Sequence, residues 1–149
     1  MFAPKTILVP TDFSEFSDLA LEEALDIAKQ HKSKIYLMHV NGAVQQCTVD
    51  YCLDDDTVKS IGQKSMESAR EMMKKEIAKV VKSDEVEIIS DVTIGVPYEE
   101  ILKEQKTKNI DLIVIASHGR TGLKGHLIGS VAEKVARGAQ CPVVLVKRK

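Results

Sequence analysis

The stretch DLIVIASHGRTGLKGHLIGS, residues 111–130, decides the fold of this chain. It opens with an uninterrupted aliphatic run over residues 112–116, which is typical of a strand buried on both faces. A glycine-punctuated loop follows over residues 117–128, and helical spacing returns from about Gly129 to Arg137, with Gly138 placed to end that helix as its C′ residue. A buried strand that leads through a loop into a helix is the repeating unit of a parallel α/β sheet.

The same unit recurs on both sides of this stretch. Short aliphatic and β-branched runs predict four further strands, at residues 6–10, 34–40, 86–94 and 142–146. Apolar residues at three- and four-residue spacing predict three further helices, over residues 16–29, 58–80 and 98–105. The alternation predicts a doubly wound five-stranded parallel α/β sheet with helices on both faces.

Local signals fix the ends of the predicted helices. Ser14 or Ser17 can cap the first helix, and the acidic run 54–56 places negative charge near the start of the second. Pro97 suits the first turn of the third helix, where its missing N–H is harmless. Residues 42–56 show no sustained period, so we expect a surface loop there.

Composition narrows the possible functions. The chain has 149 residues, with 44% hydrophobic and 29% charged residues, which predicts one globular domain over residues 1–149. Its 21 basic and 22 acidic residues give a net charge of −1, so we expect neither nucleic acid nor an anionic membrane surface as a partner. The apolar runs are too short for a signal peptide or a membrane span, and three cysteines form no paired framework, so we expect a cytoplasmic protein without a structural disulfide.

Ligands of doubly wound sheets bind at the carboxyl ends of the strands, where the winding direction reverses. The loops after the first and fourth strands, residues 10–14 and 117–130, are therefore the candidates for one site. Glycines let backbone N–H groups approach phosphate oxygens, and the helix that starts after the second loop favours negative charge at its N-terminus. A capping box from Ser130 to Glu133 is the alternative interpretation, and it would need no ligand. The loop matches neither the P-loop pattern nor the dinucleotide-binding fingerprint.

The chain resembles the universal stress protein family, whose nucleotide signature is G-x2-G-x9-G-[ST] after the fourth strand. Here Ala116 stands at the first glycine position, and Gly119 and the pair Gly129-Ser130 stand at the others. Four more segments resemble the family, at residues 7–14, 37–40, 95–97 and 141–146.

The resemblance implies an adenine nucleotide alpha hydrolase-like, Rossmann-like sheet of order 3-2-1-4-5. In the ATP-binding branch, the position of Asp12 contacts the ribose, that of Val40 offers its backbone to adenine, and the glycine positions receive the phosphates. The implied ligand is ATP, or ADP or AMP, with Mg²⁺ on the phosphates. The candidate binding residues are Pro10, Thr11, Asp12, Val40, Ala116, His118, Gly119, Gly129, Ser130 and Val131. Ala116 adds a Cβ where the family brings backbone against the ligand.

The resemblance also implies a homodimeric stress-response regulator. The last strand should form a sheet edge prone to pairing with a second copy, through Val143, Val144, Leu145 and Val146. Two alternatives stay open: an interaction protein of the same fold that binds no nucleotide, and an enzyme of the adenine nucleotide hydrolase type with slow ATP hydrolysis. The sequence shows no complete set of groups for rapid phosphoryl transfer, so we assign no catalytic residue and no protein metal site.

Several polar residues receive no firm role. Arg120 and Lys124 could neutralise phosphate charge, although loop cations are usually solvated. Cys47 and Cys52 could form a thiol switch or bind a metal, but ordinary solvent-facing cysteines are the simpler interpretation of their spacing.

Overall fold

A computed structural model describes residues 1–42, 54–119 and 128–148. Its five strands are β1 Thr6–Pro10, β2 Lys34–Asn41, β3 Ile88–Ile94, β4 Leu112–Ala116 and β5 Val143–Val146. The helices within these ranges are α1 Glu15–His31, α2 Asp55–Val80, α3 Pro97–Thr107 and α4 Ser130–Gly138. Each end lies within three residues of its predicted position.

The strands form one parallel sheet of order β3-β2-β1-β4-β5, as the resemblance implied. From β1 the chain moves outward through β2 to β3, and then crosses back to β4 and β5. The reversal places β1 beside β4, with Ile7 paired to Leu112 and Leu8 to Ile113. The carboxyl ends of β1 and β4 therefore meet at the switch point, where this class of sheet binds ligands.

The alternation of side chains along the strands divides the core into two layers. In β1, Ile7 and Val9 pack under α1 and α2, while Leu8 packs with α3 and α4 on the opposite face. All three side chains are fully buried. Burial on both faces explains why the strand sequences read as continuous aliphatic runs.

The predicted signals at the starts of the first three helices are confirmed. Ser14 is the N-cap of α1, and its side chain accepts from the N–H of Ser17. Asp54 caps α2 in the same way by accepting from Thr57, and Pro97 occupies the first turn of α3. The Thr57 hydrogen bonds also lower the pKa of Asp54.

Two predictions about the ends of α4 are wrong. The N-cap is Gly129, without a side-chain cap hydrogen bond, and Ser130 is already helical, so the alternative capping box does not form. At the other end Gly138 is the last helical residue, and Ala139 is the C-cap with φ −67°. A Cβ added at Gly138 would lie 2.7 Å from Cδ1 of Leu102 in α3, so the glycine leaves room for that side chain.

Some predictions concern residues outside the described ranges. They include most of the predicted surface loop, Cys47 and Cys52, and the loop cations Arg120 and Lys124. Over the described ranges, no helix has the length and apolar character needed to cross a membrane.

Candidate functional site

A cavity of about 420 Å³ opens at the switch point, at the carboxyl ends of β1, β2 and β4 and beneath the first turns of α3 and α4. The structure brings all ten predicted binding residues to its lining: Pro10, Thr11, Asp12, Val40, Ala116, His118, Gly119, Gly129, Ser130 and Val131. The remaining lining residues were not predicted: Ser17, His39, Pro97, Ile101, Ile115, Ser117 and Ala132. The volume falls within the usual range of small-molecule sites, roughly 300–1,000 Å³.

One wall of the cavity is the turn after β1, residues 10–14, which we call the Asp12 turn. Asp12 Oδ1 accepts from the hydroxyl of Ser17 at 2.6 Å and from the N–H of Ser14 at 3.0 Å. Ser17 is 2% exposed, so its hydroxyl holds the carboxylate from inside the protein. These hydrogen bonds fix the orientation of Asp12 at the rim of the cavity.

Thr11 anchors the same turn through hydrogen bonds of its own. Its hydroxyl donates to both carboxyl oxygens of Glu76 in α2, at 2.7 and 2.9 Å. Its carbonyl accepts from Nδ1–H of His39 at 2.8 Å, and its N–H donates to the carbonyl of Met38 at 2.8 Å. Thr11 is therefore tied to both α2 and β2.

Glu76 is an unusual member of the core. Burial is the main reason why the pKa of its carboxyl is raised to about 7; the Thr11 hydrogen bond opposes this rise, and the nearby Asp18 and Asp12 add to it. The neighbouring Asp18 carboxylate pairs with Lys79 at 2.6 Å. A buried carboxyl thus lies directly behind the Asp12 turn.

The facing wall consists of Gly119 and Gly129, which we call the glycine wall. A Cβ on Gly119 would lie 2.7 Å from Asp12 Oδ2, a distance that real Cβ atoms do not show. A Cβ on Gly129 would lie 3.2 Å from the Ser117 carbonyl oxygen, and the N–H of Gly129 donates to that same oxygen. The two ends of the glycine loop therefore pack backbone against backbone, next to Asp12.

The start of α4 faces the cavity. The first intrahelical hydrogen bond from this end runs from the N–H of Glu133 to the carbonyl of Gly129. The preceding N–H groups of residues 130–132 have no acceptor within the helix, and all three of these residues line the cavity. This helix end is suited to an anion.

Val40 presents backbone to the cavity. The carbonyl of Met38 accepts from Thr11, so it points toward β1, and residues two apart along a strand point the same way. The N–H and C=O of Val40 therefore point to the side of β1 as well, just beyond the residue where β1 ends at Pro10. A donor and an acceptor lie side by side there, which is the pattern that reads the edge of a planar base.

His118 and Ala116 line the wall that β4 supplies. The hydroxyl of Ser117 lies 3.0 Å from Nδ1 of His118, and the His118 ring lies 6.2 Å from that of Phe16. Ala116 ends β4 and lines the cavity, and its side chain belongs to the core layer that packs with α1 and α2. Within the described ranges, no three His, Cys, Asp or Glu side chains are grouped so that they could hold a metal ion.

Two supporting residues were missed by the sequence analysis. The sequence gives no sign that Ser17 bonds Asp12 rather than capping α1, because that choice depends on the path of the turn. Glu76 could have been found from spacing, since it lies three residues after Met73 and four before Val80, on the apolar stripe of α2.

The fold and the cavity define a class: a doubly wound α/β protein with an open switch-point cleft, bounded by an acidic turn and the N-terminus of a helix. Comparison with known proteins narrows this class to one family. The profile described as the universal stress protein family matches residues 4–147, and the chain belongs to that family.

Individual relatives agree with this assignment. Universal stress protein MJ0531 of Methanocaldococcus jannaschii is 35% identical over 144 residues, which cover 97% of this chain and 82% of that protein. The solved structure of MJ0577, a universal stress protein of the same organism, superposes with a TM-score of 0.85 and 31% identity, covering 99% of both chains.

Two further solved structures share the fold and contain nucleotides. A universal stress protein in complex with cAMP superposes with a TM-score of 0.64 at 23% identity, covering 98% of both chains. The universal stress protein of Archaeoglobus fulgidus in complex with dAMP gives 0.54 at 19% identity, again covering 98% of both chains. At these identities the comparison establishes the shared fold.

Proposed function

We propose that this universal stress protein binds ATP or a related adenine nucleotide in the switch-point cavity and acts as a homodimeric stress-response regulator. One observation carries the proposal: the Asp12 carboxylate and the open N-terminus of α4 border a single cavity whose other walls are largely apolar. A nucleotide has matching parts, since its base is flat and apolar, its sugar carries hydroxyl donors and its phosphates are anionic.

Each part of the nucleotide has a candidate partner. Adenine fits between Val40 and Ile101, where the Val40 backbone can read its edge. The ribose hydroxyls can donate to the carboxylate of Asp12. The phosphates fit against Gly119, Gly129 and the N–H groups at the start of α4, with Ser130 adding a hydroxyl donor.

Mg²⁺ enters the proposal through the phosphates. The described residues group no set of side chains suited to hold the ion by themselves. Phosphate oxygens are hard ligands that Mg²⁺ prefers, and the ion usually keeps several waters. We therefore expect any Mg²⁺ to arrive with the nucleotide and to reduce its net charge near Asp12.

The complexes with cAMP and dAMP support this proposal at the level of the fold, because they place adenine nucleotides in proteins of the same family. The proposed regulation is a ligand switch. Nucleotide bound at the switch point would order the surrounding loops and alter the affinity for a partner protein.

The test is mass spectrometry of small molecules released by denaturing the freshly purified protein, next to the variant Gly129→Lys. The lysine side chain should obstruct the glycine wall, so co-purified ATP, ADP or AMP should disappear from that variant. Gln30→Lys is the matched control, because it adds the same charge on the exposed C-terminal part of α1.

The result expected is nucleotide in the normal chain and in Gln30→Lys, and none in Gly129→Lys. Absence of nucleotide from all three, together with no rise in the thermal midpoint of the normal chain on addition of Mg-ATP, would overturn the ligand-switch proposal. It would favour the interaction protein without nucleotide. Multiple turnovers of added ATP would instead favour the enzyme alternative.

The proposed dimer uses the edge strand β5. Val144 is 37% exposed at this edge, and Val143, Leu145 and Val146 are half-buried. A second copy could cover these apolar side chains. We expect Val144→Lys to convert dimer to monomer in light scattering, whereas Ile89→Lys, at an equally exposed site on the opposite edge strand β3, should stay dimeric. A dimer that persists in Val144→Lys would refute this interface.

A further inference from the structure

Glu76 lies outside the set of residues that line the cavity, yet it holds the turn that carries Asp12. We infer that Glu76 is a positioning residue of the nucleotide site, acting through the hydroxyl of Thr11. The inference rests on the proposed function and adds to it a helix, α2, whose side chains do not contribute to the described cavity lining.

The contact between Glu76 and Thr11 is short and enclosed. Both carboxyl oxygens accept from the one hydroxyl, at 2.7 and 2.9 Å, and the two residues are 5% and 6% exposed. The same hydroxyl accepts from the N–H of Phe13 at 3.0 Å. Through this hydroxyl, Thr11 connects Glu76 to Phe13, the residue that follows Asp12.

Phe13 makes the Asp12 turn sensitive to this relay. Its φ of 64° lies in the left-handed region, which an aromatic residue rarely adopts and which persists only where its surroundings determine it. The ring of Phe13 packs on His39 with centroids 4.3 Å apart, and His39 in turn donates to the Thr11 carbonyl. Removing the acceptor behind Thr11 would free its hydroxyl to rotate, which weakens the hydrogen bond that holds Phe13 in this conformation.

The packing around position 76 would accept an apolar side chain as well as a carboxyl. The side chain lies on the buried face of α2 next to Met73 and Val80, where an apolar residue would avoid the cost of desolvation. The raised pKa of Glu76 records that cost. What the carboxyl supplies, and an aliphatic side chain cannot, is an acceptor for Thr11.

Isothermal titration of Mg-ATP into the purified protein tests the inference. Glu76→Leu keeps the volume and removes the acceptor, so Kd should rise about tenfold, as for one lost hydrogen bond. Glu76→Gln keeps an acceptor oxygen and should restore the normal Kd to within about twofold. Thr11→Val removes the Phe13 hydrogen bond as well, so its Kd should rise at least as much as that of Glu76→Leu. The double variant should show no loss beyond that of Thr11→Val alone, because the contact of Glu76 acts only through this hydroxyl.

Met73→Ala is the control for general destabilisation, since Met73 is buried on the same face of α2 without a hydrogen bond to the turn. It should lower Tm and leave Kd unchanged. If Glu76→Leu is folded and binds Mg-ATP like the normal chain, or if its loss multiplies with that of Thr11→Val, the positioning role is refuted and the proposed function stands. If the normal chain itself fails to bind, both fall together, and the parent titration shows this before any variant is compared.

Discussion

The two walls of the cavity are built by different means. The Asp12 turn is held by side-chain hydrogen bonds that reach it from Ser17 in α1, Glu76 in α2 and His39 in β2. The glycine wall is shaped by close contacts, since a Cβ on Gly119 would meet the Asp12 carboxylate at 2.7 Å and a Cβ on Gly129 would meet the Ser117 carbonyl oxygen at 3.2 Å. A wall of hydrogen bonds tolerates substitutions that keep donors and acceptors, whereas a wall of close contacts tolerates an added atom only where its neighbour can shift.

The largest effect is expected where the two walls touch. In Gly119→Ala the new methyl group would lie 2.7 Å from Asp12 Oδ2, and the carboxylate cannot swing away because Ser14 and Ser17 hold its other oxygen. The backbone or the carboxylate must move, so we expect the Kd for Mg-ATP to rise about a hundredfold. Isothermal titration measures this change.

Gly42→Ala is the matched control for Gly119→Ala. A Cβ on Gly42 would make ordinary contacts at 3.5 and 3.8 Å, so its Kd should stay normal. If Gly119→Ala bound Mg-ATP as tightly as Gly42→Ala does, the distinction between the two walls would be lost.

The next prediction concerns how the free energy of unfolding depends on pH through Glu76, the buried carboxyl behind the Asp12 turn. Because the folded protein raises the pKa of Glu76 from its ordinary value of 4.5 to about 7, the folded state binds more protons between these pH values than the unfolded state. Its stabilising contribution is complete below pH 4.5 and is lost as the pH rises through 7. The pKa shift sets a ceiling of about 3 kcal/mol, which screening by the nearby Lys79 and solvent lowers to about 2 kcal/mol.

Glu76→Gln resembles the protonated carboxyl at every pH. It should therefore stabilise the protein by about 2 kcal/mol at pH 8, and by close to nothing at pH 4.5, in urea unfolding at both pH values. Glu71→Gln, at an exposed position on the same helix, should show no such pH dependence. A gain for Glu76→Gln that is equal at the two pH values would mean that the carboxyl does not titrate in this range.

Most of the fold could be predicted because its signals are local or periodic. The aliphatic run over residues 112–116 and the alternation around Leu8 follow from burial on both faces of one sheet. The role of Gly138 could not be predicted, because a C′ glycine and a glycine that makes room for Leu102 look alike in a sequence. That distinction depends on how closely α3 packs on α4.

The two walls of the candidate site also differ in how far the sequence predicts them. Gly119 and Gly129 could be singled out because close contacts require glycine at fixed positions, and a spacing motif records such positions. The residues that support Asp12 could not be singled out in this way. Thr11 and Glu76 lie 65 residues apart, and neither residue alone indicates the contact. Hydrogen bonds between distant side chains appear only once the helices are packed.

Ala116 is where this chain departs from the glycine signature that its family resemblance led us to expect. It is the last residue of β4 and lines the cavity close to the glycine wall, and its methyl group packs at the edge of the core layer beneath α1 and α2. Unlike Gly119 and Gly129, it has kept a Cβ, and the cavity accommodates it. Removing this Cβ tests whether close contacts at position 116 also limit the affinity for nucleotide.

Ala116→Gly should lower the Kd for Mg-ATP about threefold, the smallest of these effects, because a flat ligand gains the space of one methyl group. It should also destabilise the chain by about 1 kcal/mol, because glycine loses more backbone freedom on folding than alanine does. Ala132→Gly removes a buried methyl group from the α4 side of the same cavity and should cost stability without improving affinity. Equal gains in both variants would indicate that cavity volume in general limits binding, whereas a gain confined to Ala116→Gly would extend the glycine wall to the end of β4.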